Sequence, residues 1–224
     1  MKTHHKPAFD RITQSRKEKI LEIGINEFAN NGYQKANINV IAKKSGISIG
    51  LMYKYFSTKE DLFITCVNHG MEILEQTLTD IMKSDEKLLK KAEKLIRATC
   101  KHSKINANYI KMYNEITAEK DSDRAKLFAT EIETPTSSIY KGAITNAFNN
   151  GDIRTDIEPN LFAFFLDNLL TMLQFSYICE YYRERFRIYT GIDVSTADDE
   201  IIVTQLLKFI ESAFTFSKGD INNE

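Results

Sequence analysis

The chain has 224 residues, room for one large domain or for a small domain beside a larger one. Its 42% hydrophobic and 27% charged residues are an ordinary globular mixture, and nine Gly with three Pro are too few breakers for the many turns of a β-rich fold. The net charge of −1 hides a segregation: residues 1–60 carry 11 Lys and Arg against 5 Asp and Glu, while the rest carry 19 against 26. A basic end on an acidic body points to a nucleic-acid contact confined to the N-terminal end, or else to chance segregation of solvated charges.

The cysteines, Cys66, Cys100 and Cys179, are odd in number, far apart and without CxxC spacing. They read as small buried hydrophobes in a reducing compartment, and neither a metal site nor a cofactor is expected. No apolar run is read as reaching the ~18 residues of a membrane helix, and MKTHHKPAFD has no apolar signal core. The expectation is a soluble, cytoplasmic protein with no membrane partner.

Residues 1–14 are polar and read as frayed. Ser15 with Glu18 reads as a capping box for a first helix, in which Ile20, Ile23, Gly24 and Phe28 recur at helical spacing. Asn30-Asn31-Gly32 ends it, with Gly32 at the position just past the helix. Asn37 caps a second, short helix that reaches about Lys44, with Ile38, Ile41 and Ala42 inward. Ser45-Gly46-Ile47 is a tight turn, and Ser48 caps a third helix from Ile49 to Tyr55. Ser57-Thr58-Lys59-Glu60 reads as another capping box and opens a longer helix with Phe63, Cys66, Gly70, Ile73, Thr77 and Ile81 on one stripe.

Further helices are expected near 87–105, 107–117 and 124–149, the last kinked or split by Pro135. Pro159 suits the first turn of a helix running to about 189. There Leu161, Phe165, Asn168, Met172, Phe175, Cys179, Tyr182, Phe186 and Tyr189 alternate steps of four and three, beside a second row of Phe162, Leu166, Leu169 and Leu173. Ser195 and Thr196 cap a last helix, where Ile202, Leu206, Phe209, Ala213 and Phe216 repeat the pattern. The chain therefore reads as all-α, with about nine helices. Helices apolar on two faces need either a thick domain or a second copy to cover them. The second solution is a four-helix-bundle homodimer, with Phe165, Tyr182, Leu206, Phe209, Ala213 and Phe216 in its interface.

A short helix, a turn holding Gly and a second short helix form a helix-turn-helix, in which Ile41, Ala42, Ile47 and Met52 lock the pair. The second helix is then rigid enough to enter a major groove. The corner alone is weakly specific. The wider stretch, residues 20–63, reads ILEIGINEFANNGYQKANINVIAKKSGISIGLMYKYFSTKEDLF. It resembles the DNA-binding domain of the TetR/AcrR family of bacterial regulators through Phe28, Gly32-Tyr33, Ile41-Ala42, Gly46-Ile47-Ser48, Gly50, Tyr53, Tyr55-Phe56 and Lys59-Glu60-Asp61-Leu62. Asn37 stands where the family usually has Thr. Glu27 and Val40 stand where it often has apolar and polar residues respectively.

The resemblance implies a ligand-responsive transcriptional regulator, a repressor that grips a palindromic operator as a dimer and is released by a small-molecule effector. Residues 1–60 would be its DNA-binding domain and 61–224 its helical effector-binding and dimerisation domain. Asn37 and Ser48 would turn helix-start N–H groups to phosphates. Tyr53 and Tyr55 would donate hydroxyls to phosphates and Lys59 a charge, with Lys35, Lys43 and Lys44 adding diffuse attraction. Base reading would fall to Ile49, Gly50, Leu51 and Lys54, the two aliphatic chains meeting thymine methyls. The alternative for Ile49 and Leu51 is simple packing, and for Tyr53 a ring buried against the first helix.

Effector-pocket candidates are His69, His102, Tyr109, Met112, Tyr113, Asn168, Met172 and Phe175, each of which also reads as core or as a satisfied histidine. Asn168 either faces the effector or fixes dimer register. The ring-rich region suggests an apolar or aromatic effector. A family member that binds DNA without a small ligand is the second reading. Enzymatic activity is not expected, since the chain has no Gly-rich phosphate loop, GxSxG elbow or metal-ligand cluster.

Overall fold

The fold is described for residues 3–215 of a computed structural model. Among the described residues there are eleven helices and no strand. They are α1 (Pro7–Asp10), α2 (Gln14–Lys35), α3 (Ile38–Lys44), α4 (Ile49–Tyr55), α5 (Lys59–Met82), α6 (Leu88–Ile105), α7 (Ala107–Thr117), α8 (Ser122–Asn149), α9 (Pro159–Ile178), α10 (Glu180–Thr190) and α11 (Asp199–Phe214). The count exceeds nine for two reasons: α1 forms in the segment read as frayed, and the helix read as continuous over 159–189 is two.

The chain divides into two compact units, residues 1–74 with 108–133, and residues 75–107 with 134–224. This differs from a boundary at residue 60. The cause is packing: Leu62, Phe63, Ile64 and Cys66 of α5 share one core with α2–α4, and Met112, Ile116, Phe128 and Ile132 of α7 and α8 complete it. Phe63 is its hub, 1% exposed, with its ring 5.0 Å from Phe28, 5.0 Å from Tyr33 and 5.6 Å from Phe128. Gly70 lets α5 pass close to α7 in this unit, because any Cβ there would overlap the Tyr109 ring.

The N-terminal helices start and stop on local chemistry. Thr13, not a Ser15 box, precedes α2, and it makes no side-chain cap. The α2 run turns at Gly32, whose φ is 69°. The box at α5 lies one residue later than its sequence reading: Thr58 Oγ1 accepts from Asp61 N–H at 3.0 Å, and Asp61 Oδ2 accepts from Thr58 N–H at 3.0 Å.

In the second unit α9 packs against α6 and α10, and α6 against α11. The α9 residues Ala163, Leu166, Leu170, Leu173 and Phe175 face inward. With Asp167 its one charged residue, α9 is long and apolar enough, by length and composition, to cross a membrane. That corrects the reading of no such run, which the polar residues scattered along this helix obscure. The helix ends at Cys179, whose φ of −94° and ψ of 126° are extended. Arg183 accounts for the break: its Nη2 donates to the Tyr177 carbonyl at 3.0 Å, replacing a helical N–H. Asp198, rather than Ser195 or Thr196, caps α11, accepting from Glu200 N–H at 3.0 Å. Around that start Tyr177 Oη donates to Asp199 at 2.7 Å, Lys104 pairs with Asp199 at 2.7 Å, and Arg97 pairs with Glu200.

Candidate nucleic-acid interface

The helix-turn-helix is built by α3, α4 and the residues between them. Asn37 Oδ1 accepts from Asn39 N–H at 2.9 Å, and Ser48 Oγ accepts from Leu51 N–H at 3.2 Å. Each cap satisfies one of the N–H groups that a helix start leaves without an intrahelical partner. Val40 N–H also meets Asn37 O at 3.0 Å and Leu51 N–H meets Ser48 O at 3.1 Å, so the earlier N–H groups, those of Ile38, Ile49 and Gly50, are the ones suited to phosphate oxygens. Gly46, with φ 71°, closes the turn: its N–H donates to Lys43 O at 3.1 Å, and Ile47 N–H donates to Ala42 O at 3.0 Å. That paired arrangement demands a left-handed residue past the helix end, which glycine adopts without steric cost.

A buried carboxylate braces α3 against α2. Glu27 is 8% exposed, its Oε1 accepts from Asn37 N–H at 3.3 Å, and its Oε2 lies 3.6 Å from Lys44 Nζ. One side chain thus ties the first residue before α3 to its last residue. Its position in an otherwise apolar row was the sequence signal for this role.

On α4, Met52 and Tyr55 face the core, and Ile49, Gly50, Tyr53 and Lys54 are exposed. Ile49 is 37% and Tyr53 46% exposed, so neither is a core residue. Leu51 is half-buried and packs on the N-terminal core, which favours its packing reading. Lys35, Lys43 and Lys44 are all exposed.

Two expected phosphate contacts are placed otherwise. Tyr55 is 4% exposed, with its ring 5.7 Å from Phe9 of α1. The helix α1, signalled in the sequence only by Pro7 at its first position and an aromatic two residues on, covers it and takes it out of the phosphate-facing set. Lys59 turns back onto α2. Its Nζ donates to Gln34 O at 3.0 Å and Ala36 O at 3.2 Å, and lies 4.8 Å over the Tyr33 ring. Burial lowers its pKa below the ordinary lysine value. Two of its three donors therefore serve the end of α2.

The effector candidates are not brought together in one unit. His69, Tyr109, Met112 and Tyr113 belong to the N-terminal unit, and His102, Asn168, Met172 and Phe175 to the second. The His69 and Tyr109 rings are 6.3 Å apart. Burial, the largest cause, raises the Tyr109 hydroxyl to about 12. Tyr113 Oη donates to Glu133 at 2.9 Å. Met112 is core, and Phe175 is core with its ring 5.2 Å from Tyr182. His102 pairs with Asn106 at 3.1 Å, and Asn168 Nδ2 donates to the Phe164 carbonyl of its own helix at 2.7 Å. A cleft of about 260 Å³ in the N-terminal unit is polar and has only His69 of this set in its lining. Among the described residues no group of three His, Cys, Asp or Glu is placed to hold a metal ion.

The expected dimer residues divide by exposure. Phe165 is 54% and Phe209 61% exposed, while Tyr182, Leu206 and Ala213 are half-buried. Phe216 lies outside the described residues. Leu161, Phe164 and Ile201 are exposed as well, and the Phe162 ring of α9 meets the Phe214 ring of α11 at 4.9 Å.

The result is a braced two-helix corner of helix-turn-helix form whose outer helix turns Ile49, Tyr53 and Lys54 to solvent. Residues 20–66 match the family described as bacterial regulatory proteins, tetR family. The chain thus carries that family's N-terminal domain, and over more of its length it is similar to transcriptional regulators. It is 26% identical over 145 residues to the fatty acid metabolism regulator protein of Bacillus subtilis, covering 63% of this chain and 73% of that one. It is 23% identical over 158 residues to the HTH-type transcriptional repressor KstR2 of Rhodococcus jostii, covering 69% and 76%. The fold is that of FadR from Bacillus subtilis, solved in complex with stearoyl-CoA, with a TM-score of 0.68, 18% identity and coverage of 88% of this chain and 98% of that one.

Proposed function

We propose that the protein is a cytoplasmic, homodimeric repressor that holds a palindromic operator and is released by a small apolar effector. The observation that carries this reading is the outward face of α4, where Ile49 and Tyr53 stand exposed beside two capped helix starts. In this reading Ile49 meets thymine methyls, Tyr53 and the helix starts of α3 and α4 hold phosphates, and Lys54 reaches either. Residues 1–60 read DNA, and the later residues bind the effector and dimerise. The dimer forms through the exposed apolar side chains of α9 and α11, which a second copy would remove from water. Two copies turn one recognition helix into a pair, and hence the site into a palindrome.

The apolar class of the effector is supported by relatives whose names concern fatty acid metabolism and by a structural neighbour holding stearoyl-CoA. Effector binding shifts the dimer between two geometries and thereby the spacing of the recognition helices. The test is selection of random duplexes on the purified protein, followed by competition with long-chain acyl-CoA esters, sterols and other apolar compounds. A palindrome with A·T pairs under Ile49, released by one of these classes, is expected. Failure to enrich any duplex overturns DNA regulation. G·C pairs at those positions overturn the Ile49 assignment, and an operator complex indifferent to every apolar class overturns the effector.

A further inference from the structure

The stretch from His4 to Phe9 lies along the end of the recognition helix. Lys6 meets that helix twice: its backbone N–H donates to Tyr55 O at 2.8 Å, and its Nζ donates to Tyr53 O at 2.9 Å. Both acceptors are last-turn carbonyls, which a helix leaves without an N–H four residues on. A cation there also meets the negative end of the helix. Phe9, 2% exposed, sets its ring 5.7 Å from Tyr55 and 4.8 Å from Phe56. Upstream, the His4 side chain is 8% exposed and lies 3.5 Å from the Glu131 carboxylate of α8. The recognition helix itself is seven residues long and buries only Met52 and Tyr55. Two side chains on one short helix fix its depth but constrain its tilt weakly, so the second support matters.

We propose that this stretch is a clamp that sets the pose of α4, and that Lys6 is a positioning residue for operator reading rather than a phosphate contact. The inference rests on α4 being the DNA-reading helix. It goes further in assigning specificity to residues that precede the helix-turn-helix. Base-edge contacts tolerate little misplacement, whereas attraction to the phosphate backbone is diffuse. Loosening the clamp therefore harms the operator complex and spares non-specific binding.

The test compares the full-length wild type with Lys6→Met, Lys6→Arg and Phe9→Ala. Each is titrated with the selected operator and with a scrambled duplex over a range of salt. The expected result for Lys6→Met is about a tenfold loss on the operator, the size of one lost charge-assisted hydrogen bond, with the scrambled duplex and the operator's salt slope unchanged. Lys6→Arg recovers most of the loss. Phe9→Ala keeps the charge and still loses operator preference. Equal loss on both duplexes with a slope shallower by about one phosphate overturns the proposal in favour of direct contact, and no loss overturns it outright. A wild type that prefers neither duplex overturns the DNA-reading assignment itself, and the clamp with it.

Discussion

The two units treat their large apolar side chains differently. In the N-terminal unit nearly all lie in one core, and the exposed ones include Ile49 and Tyr53, both on α4. In the second unit Leu161, Phe164, Phe165, Ile201 and Phe209 are all more than half exposed, on two helices joined by Phe162 and Phe214. The first pattern is a finished core with a small exposed face on α4. The second keeps a buried core of its own and leaves a further set of apolar side chains on its outside, where another surface can cover them. The contrast teaches that exposure of an aromatic ring has no single meaning in this chain: what matters is whether its neighbours are exposed with it.

The sharpest way to break this contrast is to charge the second surface. Phe165→Glu with Phe209→Glu should give a monomer by sedimentation and weaken operator binding by roughly a hundredfold or more, the advantage of two linked half-sites. A dimer that survives both changes would mean that the exposed rows serve something else. The counterpart in the finished core is Phe63→Ala, which should cost about 3–5 kcal/mol in denaturant unfolding. The same change at Phe164 should cost under about 0.5 kcal/mol in the monomeric background.

Within the first unit, Glu27→Leu removes the partner of the Asn37 N–H and of Lys44, at a cost of about 1–3 kcal/mol. Glu27→Gln should recover part of this, because it keeps an acceptor for Asn37. If Leu proves neutral, the brace is ornamental.

A small, pH-dependent effect belongs to the second unit's Asp199. Burial acts to raise its pKa, but hydrogen bonds from Lys104 and Tyr177 prevail and hold it below the ordinary aspartate value. The stability it contributes is therefore present above the unfolded value, about 3.9, and is lost as pH falls through the lower folded one. Solvent screening keeps it below about 1 kcal/mol. Asp199→Asn should narrow the gap in urea midpoint between pH 7 and pH 3. An unchanged gap would assign the acid sensitivity elsewhere.

What was legible in the sequence is what neighbours in sequence decide. Asn37, Gly46 and Ser48 act on residues two or three positions away, and all three stand as their spacing implied. What was hidden depends on partners far along the chain. Tyr55 was read by its family role, but Phe9, 46 positions earlier, covers it. Lys59 was read as facing DNA, but the carbonyls of Gln34 and Ala36 claim it. The heptad through Cys179 is real as a pattern, yet Arg183 supplies a competing donor and the helix breaks. The effector candidates rested on inward faces alone, and an inward face does not say which core it enters.

Two of the glycines carry a consequence for how the sequence can drift over evolutionary time. A side chain at position 46 would meet no atom within 4 Å, so only its left-handed backbone opposes replacement. Asparagine and aspartate, which tolerate that conformation best after glycine, are open to it without a change elsewhere in the chain. Position 70 is helical and free of backbone strain, but it is shut by the ring of Tyr109. A lineage can leave glycine there only if residue 109 shrinks as well. Descendants of this chain should vary at 46 alone and at 70 and 109 together.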